Sequence, residues 1–104
     1  MDKICLTYNG FDWDHGNVDK NLKKHGITCE DIEEVFRGVC FIYPDSLHST
    51  EQEKRYLLFG ELAVGQKLFV AFTLRKELVR AISARPMSQK EREFYEKERE
   101  KIGL

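Results

Sequence analysis

The chain has 104 residues, of which 41% are hydrophobic and 34% are charged. This length and composition support one packed domain, spanning residues 1–104, and argue against a disordered segment. No apolar run approaches the ~18 residues that a membrane helix needs, and the first residues lack the features of a signal peptide. We therefore expect a cytoplasmic protein.

The formal net charge of −1 conceals an uneven distribution of charged residues. Residues 1–53 carry 5 Lys and Arg against 11 Asp and Glu, whereas residues 54–92 carry 9 against 3. A basic block of this kind is typical of a surface that binds a polyanion. The alternative is that the two halves neutralise each other across the fold, and charge alone leaves both interpretations open.

The first residues predict two short paired strands. Ile4–Tyr8 alternates and is rich in strand-forming residues, and Asn9-Gly10 predicts a turn into a second strand at residues 11–13.

Two helices are predicted next. Asp14 is a suitable N-cap for a helix that runs to about Lys24. Thr28 opens a capping box, which predicts a second helix from Cys29 to about Arg37.

From Val39 onwards the pattern predicts strands. Val39–Tyr43 is an apolar run that ends before a proline, and residues 45–53 form an exposed polar loop in this interpretation. The runs 54–61, 67–75 and 78–85 are separated by short connections, so they predict an antiparallel meander.

The end of the last predicted strand carries two polar side chains on one face. Pro86 ends the strand because proline cannot donate to a sheet ladder. Ser88 followed by Glu91 is a capping box, so a helix begins there. Ser83 and Arg85 therefore share a face at the strand end, where a hydroxyl and a guanidinium are suited to holding a phosphate.

These elements together predict an α+β fold, in which an antiparallel sheet packs against two N-terminal helices and one C-terminal helix. The C-terminal helix is expected to run from Ser88 to about Lys101, with Phe94 and Tyr95 as its apolar anchors.

The chain contains three cysteines and three histidines, at Cys5, Cys29, Cys40, His15, His25 and His48. Because no secretion signal and no CxxC pair are present, we interpret the cysteines as buried, reduced thiols. A zinc site built from these scattered residues is a minor alternative. We expect no metal and no other cofactor.

Four short motifs resemble the BrnT toxins of bacterial type II toxin–antitoxin pairs, over about residues 11–96. They are Phe11-Asp12-Trp13-Asp14, residues 21–27 with Val35-Phe36, residues 55–60, and residues 82–86 with Glu91-Arg92 and Tyr95. The resemblance implies a RelE-like fold and a metal-independent endoribonuclease that inhibits translation and growth. It also implies a BrnA-like ribbon-helix-helix antitoxin, in a hetero-oligomer that binds operator DNA through the antitoxin.

Metal-free RNA cleavage uses the 2′-hydroxyl of the substrate as the nucleophile. The protein has to orient the phosphate, move a proton and stabilise charge on the phosphoryl oxygens. We predict catalytic roles for Arg55, Ser83, Arg85 and His25. The arginines suit the charge because their planar fork binds paired oxygens, and His25 suits proton transfer because imidazole titrates near neutral pH.

RNA-binding roles are predicted for Lys24, Thr73 and Arg75. Arg55, Thr73 and Ser83 meet on one face only if the strands pair in the expected register, because a slip of one residue sends a side chain to the other face.

Structural alternatives remain open at this stage. Arg85 pairs with an acid of the last helix in one alternative, Arg55 is a solvated partner of Glu53 in another, and His25 complements a helix dipole in a third. At the level of function, the alternatives are a non-catalytic binding module that assembles with a DNA-binding, antitoxin-like partner, and an interaction protein with an unrelated role.

Overall fold

The computed structural model describes residues 3–14 and 24–103. Within these ranges lie the strands β1 (Gly10–Phe11), β2 (Cys40–Pro44), β3 (Arg55–Glu61), β4 (Lys67–Arg75) and β5 (Leu78–Pro86), and the helices α1 (Cys29–Arg37) and α2 (Gln89–Lys101). The predicted α+β class is confirmed. The helix predicted from Asp14 falls mostly outside the described residues, so the predicted number of helices stays a prediction.

The five strands form one mixed sheet in the order β1-β5-β4-β3-β2. Strands β3 to β5 form the predicted antiparallel meander, and β2 extends it by pairing antiparallel to β3. However, β1 runs parallel to β5 and pairs Gly10 with Leu78 and Phe11 with Val79. The prediction of a purely antiparallel sheet is therefore wrong at this edge.

The prediction of an N-terminal hairpin is also wrong. Ile4 makes an isolated antiparallel bridge to Ile42 of β2, which lies at the opposite edge of the sheet from β1. Asn9 donates from its backbone and from its side-chain amide to Glu77, at 2.7 Å in both cases. A two-stranded hairpin alone is marginally stable, and docking onto an existing sheet edge is the better solution.

Both helices begin at the capping boxes that the sequence predicts. The Thr28 side chain accepts from the N–H of Asp31 at α1, and Ser88 accepts from the N–H of Glu91 at α2. The two carboxylates accept in return from the N-cap N–H groups. Each exchange satisfies two donors that a helix N-terminus leaves without partners.

The two faces of the sheet pack against different helices. One face packs against α1 and forms the larger core, which includes Val35, Leu58, Leu68, Val70 and Phe72. The other face contacts α2 through a smaller cluster, which consists of Phe41, Tyr43, Phe59, Met87 and Tyr95. We call this second face the α2 face. It also carries the polar residues of β3 and β5, and it is where the candidate site lies.

The three cysteines are free, but the prediction that all are buried is wrong. Cys5 is exposed, whereas Cys29 and Cys40 are half-buried and burial raises the pKa of both thiols. Over the described ranges, neither helix is long and apolar enough to cross a membrane.

Candidate functional site

The strand register brings three of the predicted residues onto the α2 face. Arg55 of β3 pairs with Thr73 of β4, and Ala71, two residues before Thr73, pairs with Ser83 of β5. Directly paired residues of antiparallel strands project to the same side of a sheet. The expected register, with Arg55, Thr73 and Ser83 on one face, is therefore confirmed. Arg85 pairs with Phe69 and lies on the same face.

A β-bulge in β5 adds a further arginine to this face. Ala71 pairs with Ser83, but the next residue, Phe72, pairs with Ala81, so Ile82 is the extra residue. In a regular strand, side chains three positions apart point to opposite faces. The bulge changes that phase, and Arg80, which pairs with Thr73, joins Ser83 on the α2 face. Sequence alternation does not reveal a bulge, and Arg80 was not predicted for this reason.

A groove of about 450 Å³ lies over this part of the α2 face. Strand residues that line it include Arg55, Leu57, Ala71 and Ser83, and the loop after β2 contributes His48. The groove therefore combines an apolar surface with a guanidinium, a hydroxyl and an imidazole.

Arg55 remains open to solvent beside a carboxylate. Its side chain is 37% exposed, and its Nε donates to Oε1 of Glu53 at 3.0 Å. The Nη2 of Arg75 lies 3.7 Å from Oε2 of the same carboxylate. Glu53 thus holds two of the predicted cations at the surface, and the predicted alternative of a partner for Arg55 is present.

Arg85 forms a two-pronged ion pair with α2. Its guanidinium donates to the two carboxylate oxygens of Glu91 at 2.7 and 2.8 Å, and it lies 4.5 Å from the centre of the Phe69 ring. These hydrogen bonds lower the pKa of the Glu91 carboxyl and raise the pKa of Arg85. The Arg85 side chain is nevertheless 42% exposed. Arg55 and Arg85 therefore reach the same face without being sealed inside the protein.

The position of Thr73 does not fit the predicted contact with RNA. It is only 2% exposed, and its Oγ1 donates to the backbone carbonyl of Lys54 at 2.7 Å. A hydroxyl covered in this way does not reach a ligand in this conformation. The contact instead fixes the backbone next to Arg55, which favours a positioning role.

Lys24 and His25 are not brought together with the other candidates. Both are exposed, and their backbone is helical. Ile27, two residues later, is buried in the core on the α1 side of the sheet. The chain at His25 therefore approaches the sheet from the side opposite Arg55 and Ser83, and the proton-transfer role of His25 stays a prediction.

His48 borders the groove, a position that its sequence context did not predict. Its Nδ1 lies 2.8 Å from Oδ2 of Asp45, and its backbone N–H donates to Oδ1 at 3.4 Å. Asp45 in turn donates its N–H to the carbonyl of Arg55 at 2.9 Å. An Asp directly after Pro44, with His three residues on, is typical of a side-chain-stabilised turn, and this pattern was the available signal.

The basic block is partly neutralised across the fold, as the electrostatic alternative predicted. Arg80 contacts Asp14 and lies 3.6 Å from Asp12, so it joins the basic segment to the acidic N-terminal segment. The hydrogen bond with Asp14 raises the pKa of Arg80.

Comparison with known families identifies the chain. A family model described as ribonuclease toxin, BrnT, of type II toxin–antitoxin system matches residues 13–91. This range covers well over half of the chain. The chain belongs to the BrnT family. No curated protein matches it.

Membership of the BrnT family confirms the resemblance seen in the sequence. It assigns the chain to the ribonuclease toxins of type II toxin–antitoxin systems, which act on RNA and have an antitoxin partner. In this BrnT chain, the α2 face is the surface that carries the predicted cationic and hydroxyl groups of Arg55, Ser83 and Arg85.

Proposed function

We propose that this BrnT chain is a metal-independent endoribonuclease whose active site is the α2 face, where Arg55 and Ser83 line the groove and Arg85 lies further along β5. In this proposal Arg55 and Arg85 bind the scissile phosphate, Ser83 donates a hydrogen bond to it, and Arg75 binds the RNA backbone nearby. Cleavage of RNA inhibits translation and growth. The RelE-like character of the fold and the site of action in the cytoplasm belong to the same proposal.

The observation that carries the proposal is the shared placement of Arg55, Ser83 and Arg85. Three strands contribute to one face through the pairing of Arg55 with Thr73, Ala71 with Ser83 and Phe69 with Arg85. Both guanidinium groups are partly exposed and already oriented by carboxylates. A phosphate that binds beside these carboxylates meets donors held in position, which is the arrangement that stabilises charge in a transition state.

The nucleophile of the reaction is a group of the RNA itself. The 2′-oxygen forms a bond to the adjacent phosphorus while the bond from phosphorus to the 5′-oxygen breaks. The products are a 2′,3′-cyclic phosphate and a 5′-hydroxyl. Positively charged donors at the phosphoryl oxygens accelerate this step because negative charge grows there.

The test is cleavage of a defined RNA by the purified chain in the presence of EDTA. We expect products with cyclic phosphate and 5′-hydroxyl ends. Arg55→Gln and Arg85→Gln should each lower the single-turnover rate by roughly 100-fold, the cost of removing one charge-stabilising donor.

Arg37→Gln is the matched control for these exchanges. Arg37 is an exposed arginine of α1, paired with Glu33 at 3.8 Å, on the other side of the sheet. It should retain full activity. Full cleavage by both the Arg55 and the Arg85 variant at equal protein concentration would contradict the proposed site, and cleavage that requires a divalent ion would contradict metal independence.

RNA affinity should also depend steeply on salt. Each phosphate contact releases counterions, so the logarithm of the binding constant falls linearly with the logarithm of the salt concentration. Arg75→Gln should reduce this slope by about 1 without changing the cleavage chemistry. An unchanged slope would remove Arg75 from the RNA-binding surface.

We also propose that the antitoxin is a BrnA-like ribbon-helix-helix protein and that the hetero-oligomer binds operator DNA through it. Expression of the toxin alone should stop growth, and co-expression of this antitoxin should restore it. A gel-shift experiment with the purified complex should show operator binding that the toxin alone lacks. Growth inhibition that persists in the Arg85→Gln variant would instead favour the non-catalytic binding module.

A further inference from the structure

The turn after β2 is fastened beside Arg55 by a set of short hydrogen bonds. Asp45 donates its N–H to the Arg55 carbonyl at 2.9 Å, which extends the β2–β3 ladder by one pair. The Ser49 hydroxyl donates to the Asp45 carbonyl at 2.7 Å and accepts from the Arg55 N–H at 2.9 Å. The residues between Asp45 and Ser49 are therefore held against the start of β3, and His48 is one of them.

The Asp45 carboxylate selects one state of the His48 ring. Oδ2 of Asp45 is 2.8 Å from Nδ1, and a carboxylate oxygen accepts a hydrogen bond, so Nδ1 carries the proton in the neutral ring. The other ring nitrogen, Nε2, then has a free lone pair. This is the relationship in which an aspartate orients a histidine that works as a base.

The exposed fractions of the two side chains indicate that this pair has more than a structural role. The Asp45 side chain is only 12% exposed, whereas the His48 side chain is 60% exposed and borders the groove. The turn is also held by backbone groups and by Ser49, so it does not depend on the imidazole. The imidazole is therefore oriented at a solvent-accessible position next to Arg55 without contributing to the core.

We propose that His48 is the general base of RNA cleavage and that Asp45 is its positioning residue. This inference rests on the proposed function. As the 2′-oxygen bonds to phosphorus, its proton passes to Nε2 of His48. The bond from phosphorus to the 5′-oxygen breaks, and the 5′-oxygen takes a proton from water. His48 then returns its proton to solvent, so the charges and protons balance.

The experiment measures single-turnover cleavage in EDTA by the wild type, His48→Gln, Asp45→Asn and His48→Gly. His48→Gln should be slower by roughly 100-fold, the lower range for loss of a general base. Asp45→Asn should also be slow, because an amide NH₂ that donates to Nδ1 leaves the proton on Nε2. Added imidazole should restore part of the rate of His48→Gly, which a purely structural histidine would not allow.

A modified substrate distinguishes a base from an acid. RNA with sulfur in place of the bridging 5′-oxygen has a leaving group that needs no proton. A general base is still required, so we expect the defect of His48→Gln to persist on this substrate. Disappearance of the defect would overturn the assignment as base. Binding of a non-cleavable 2′-deoxy oligonucleotide should be unchanged in His48→Gln, which confines the effect to the chemical step.

The remaining outcomes separate the inference from the proposed function. If His48→Gln cleaves within about twofold of the wild type while Arg85→Gln is impaired, the inference is wrong and the nuclease site stands. If the wild type leaves RNA intact under every condition, both are wrong. His48→Gln and Asp45→Asn preserve size and hydrogen bonding, and their melting curves should match that of the wild type.

Discussion

Exchange of Glu91 for glutamine should lower the stability of the protein and raise its affinity for RNA. Gln at the third helical position still serves a capping box, so the start of α2 should persist. The lost ion pair with Arg85 is partly exposed, at 42% for the arginine and 20% for the glutamate. Exposed pairs contribute ~0.2–1 kcal/mol, so the free energy of unfolding should fall by no more than about 1 kcal/mol.

The pH dependence of this loss has a definite sign. Arg85 lowers the pKa of Glu91 below its ordinary value of 4.5. The pair therefore stabilises the folded protein at pH values above 4.5, and this contribution disappears as the pH falls through the lower, folded-state pKa. The difference in stability between the wild type and Glu91→Gln should vanish on acidification.

RNA binding should change in the opposite direction. A phosphate at Arg85 lies near the Glu91 carboxylate, and two like charges about 6 Å apart repel by about 0.7 kcal/mol in water and about 3 kcal/mol at a protein surface. For this partly exposed site we take about 1 kcal/mol, which corresponds to about fivefold tighter binding in Glu91→Gln.

Fluorescence anisotropy with a non-cleavable 2′-deoxy oligonucleotide measures this gain. Glu100→Gln is the matched control, because Glu100 is an exposed residue of the same helix and lies nine positions further along. It makes the same change in net charge away from the groove. Equal or weaker binding by Glu91→Gln, or an equal gain in Glu100→Gln, would refute a phosphate site at Arg85.

Further predictions concern stability, measured by denaturant midpoints. Tyr43→Phe should stabilise by about 1 kcal/mol, because within the described part of the chain its buried hydroxyl has no hydrogen-bond partner, and a loss would contradict this. Tyr95→Phe should cost about 1 kcal/mol, because that hydroxyl donates to a backbone carbonyl at 3.1 Å. Burial raises the pKa of both tyrosines from 10.0 to about 12, so stability should fall between these pH values, and less steeply in either variant. Gly60→Ala should cost ~1–3 kcal/mol, since its Cβ would lie 3.1 Å from that of Val35, and an unchanged midpoint would show that the core yields. Lys76→Asn should stabilise by ~0.5 kcal/mol, because asparagine tolerates a φ of 53° better than lysine does, and a lower midpoint would contradict this.

The regular elements could be predicted because their signals are local. The capping boxes at Thr28 and Ser88 set the helix starts, and short connections between apolar runs set the meander. The N-terminal segment could not be predicted in the same way. Whether this segment forms a local hairpin or pairs with the distant strands β5 and β2 depends on the assembled sheet. A short sequence pattern contains no information about such distant pairing.

Part of the candidate site follows from register alone. Arg55, Thr73 and Ser83 were expected on one face, and the pairing places them there. What the sequence could not show is which partners each side chain finds after folding. The hydrogen bond from Thr73 to the Lys54 carbonyl and the contact between Asp45 and His48 depend on the three-dimensional path of the loop between β2 and β3.

The extra residue in β5 makes the length of this strand as important as its composition. Before Ile82, Val79 and Ala81 face the α1 core, and after it Ser83 and Arg85 lie on the α2 face. Removal of one amino acid there would shift the alternation of the strand. Either the apolar side chains would then leave the core, or the hydroxyl and the guanidinium would point toward the α1 core. A substitution at Ile82 preserves both assignments, whereas a deletion cannot, so this strand should tolerate changes of residue type far better than changes of residue number.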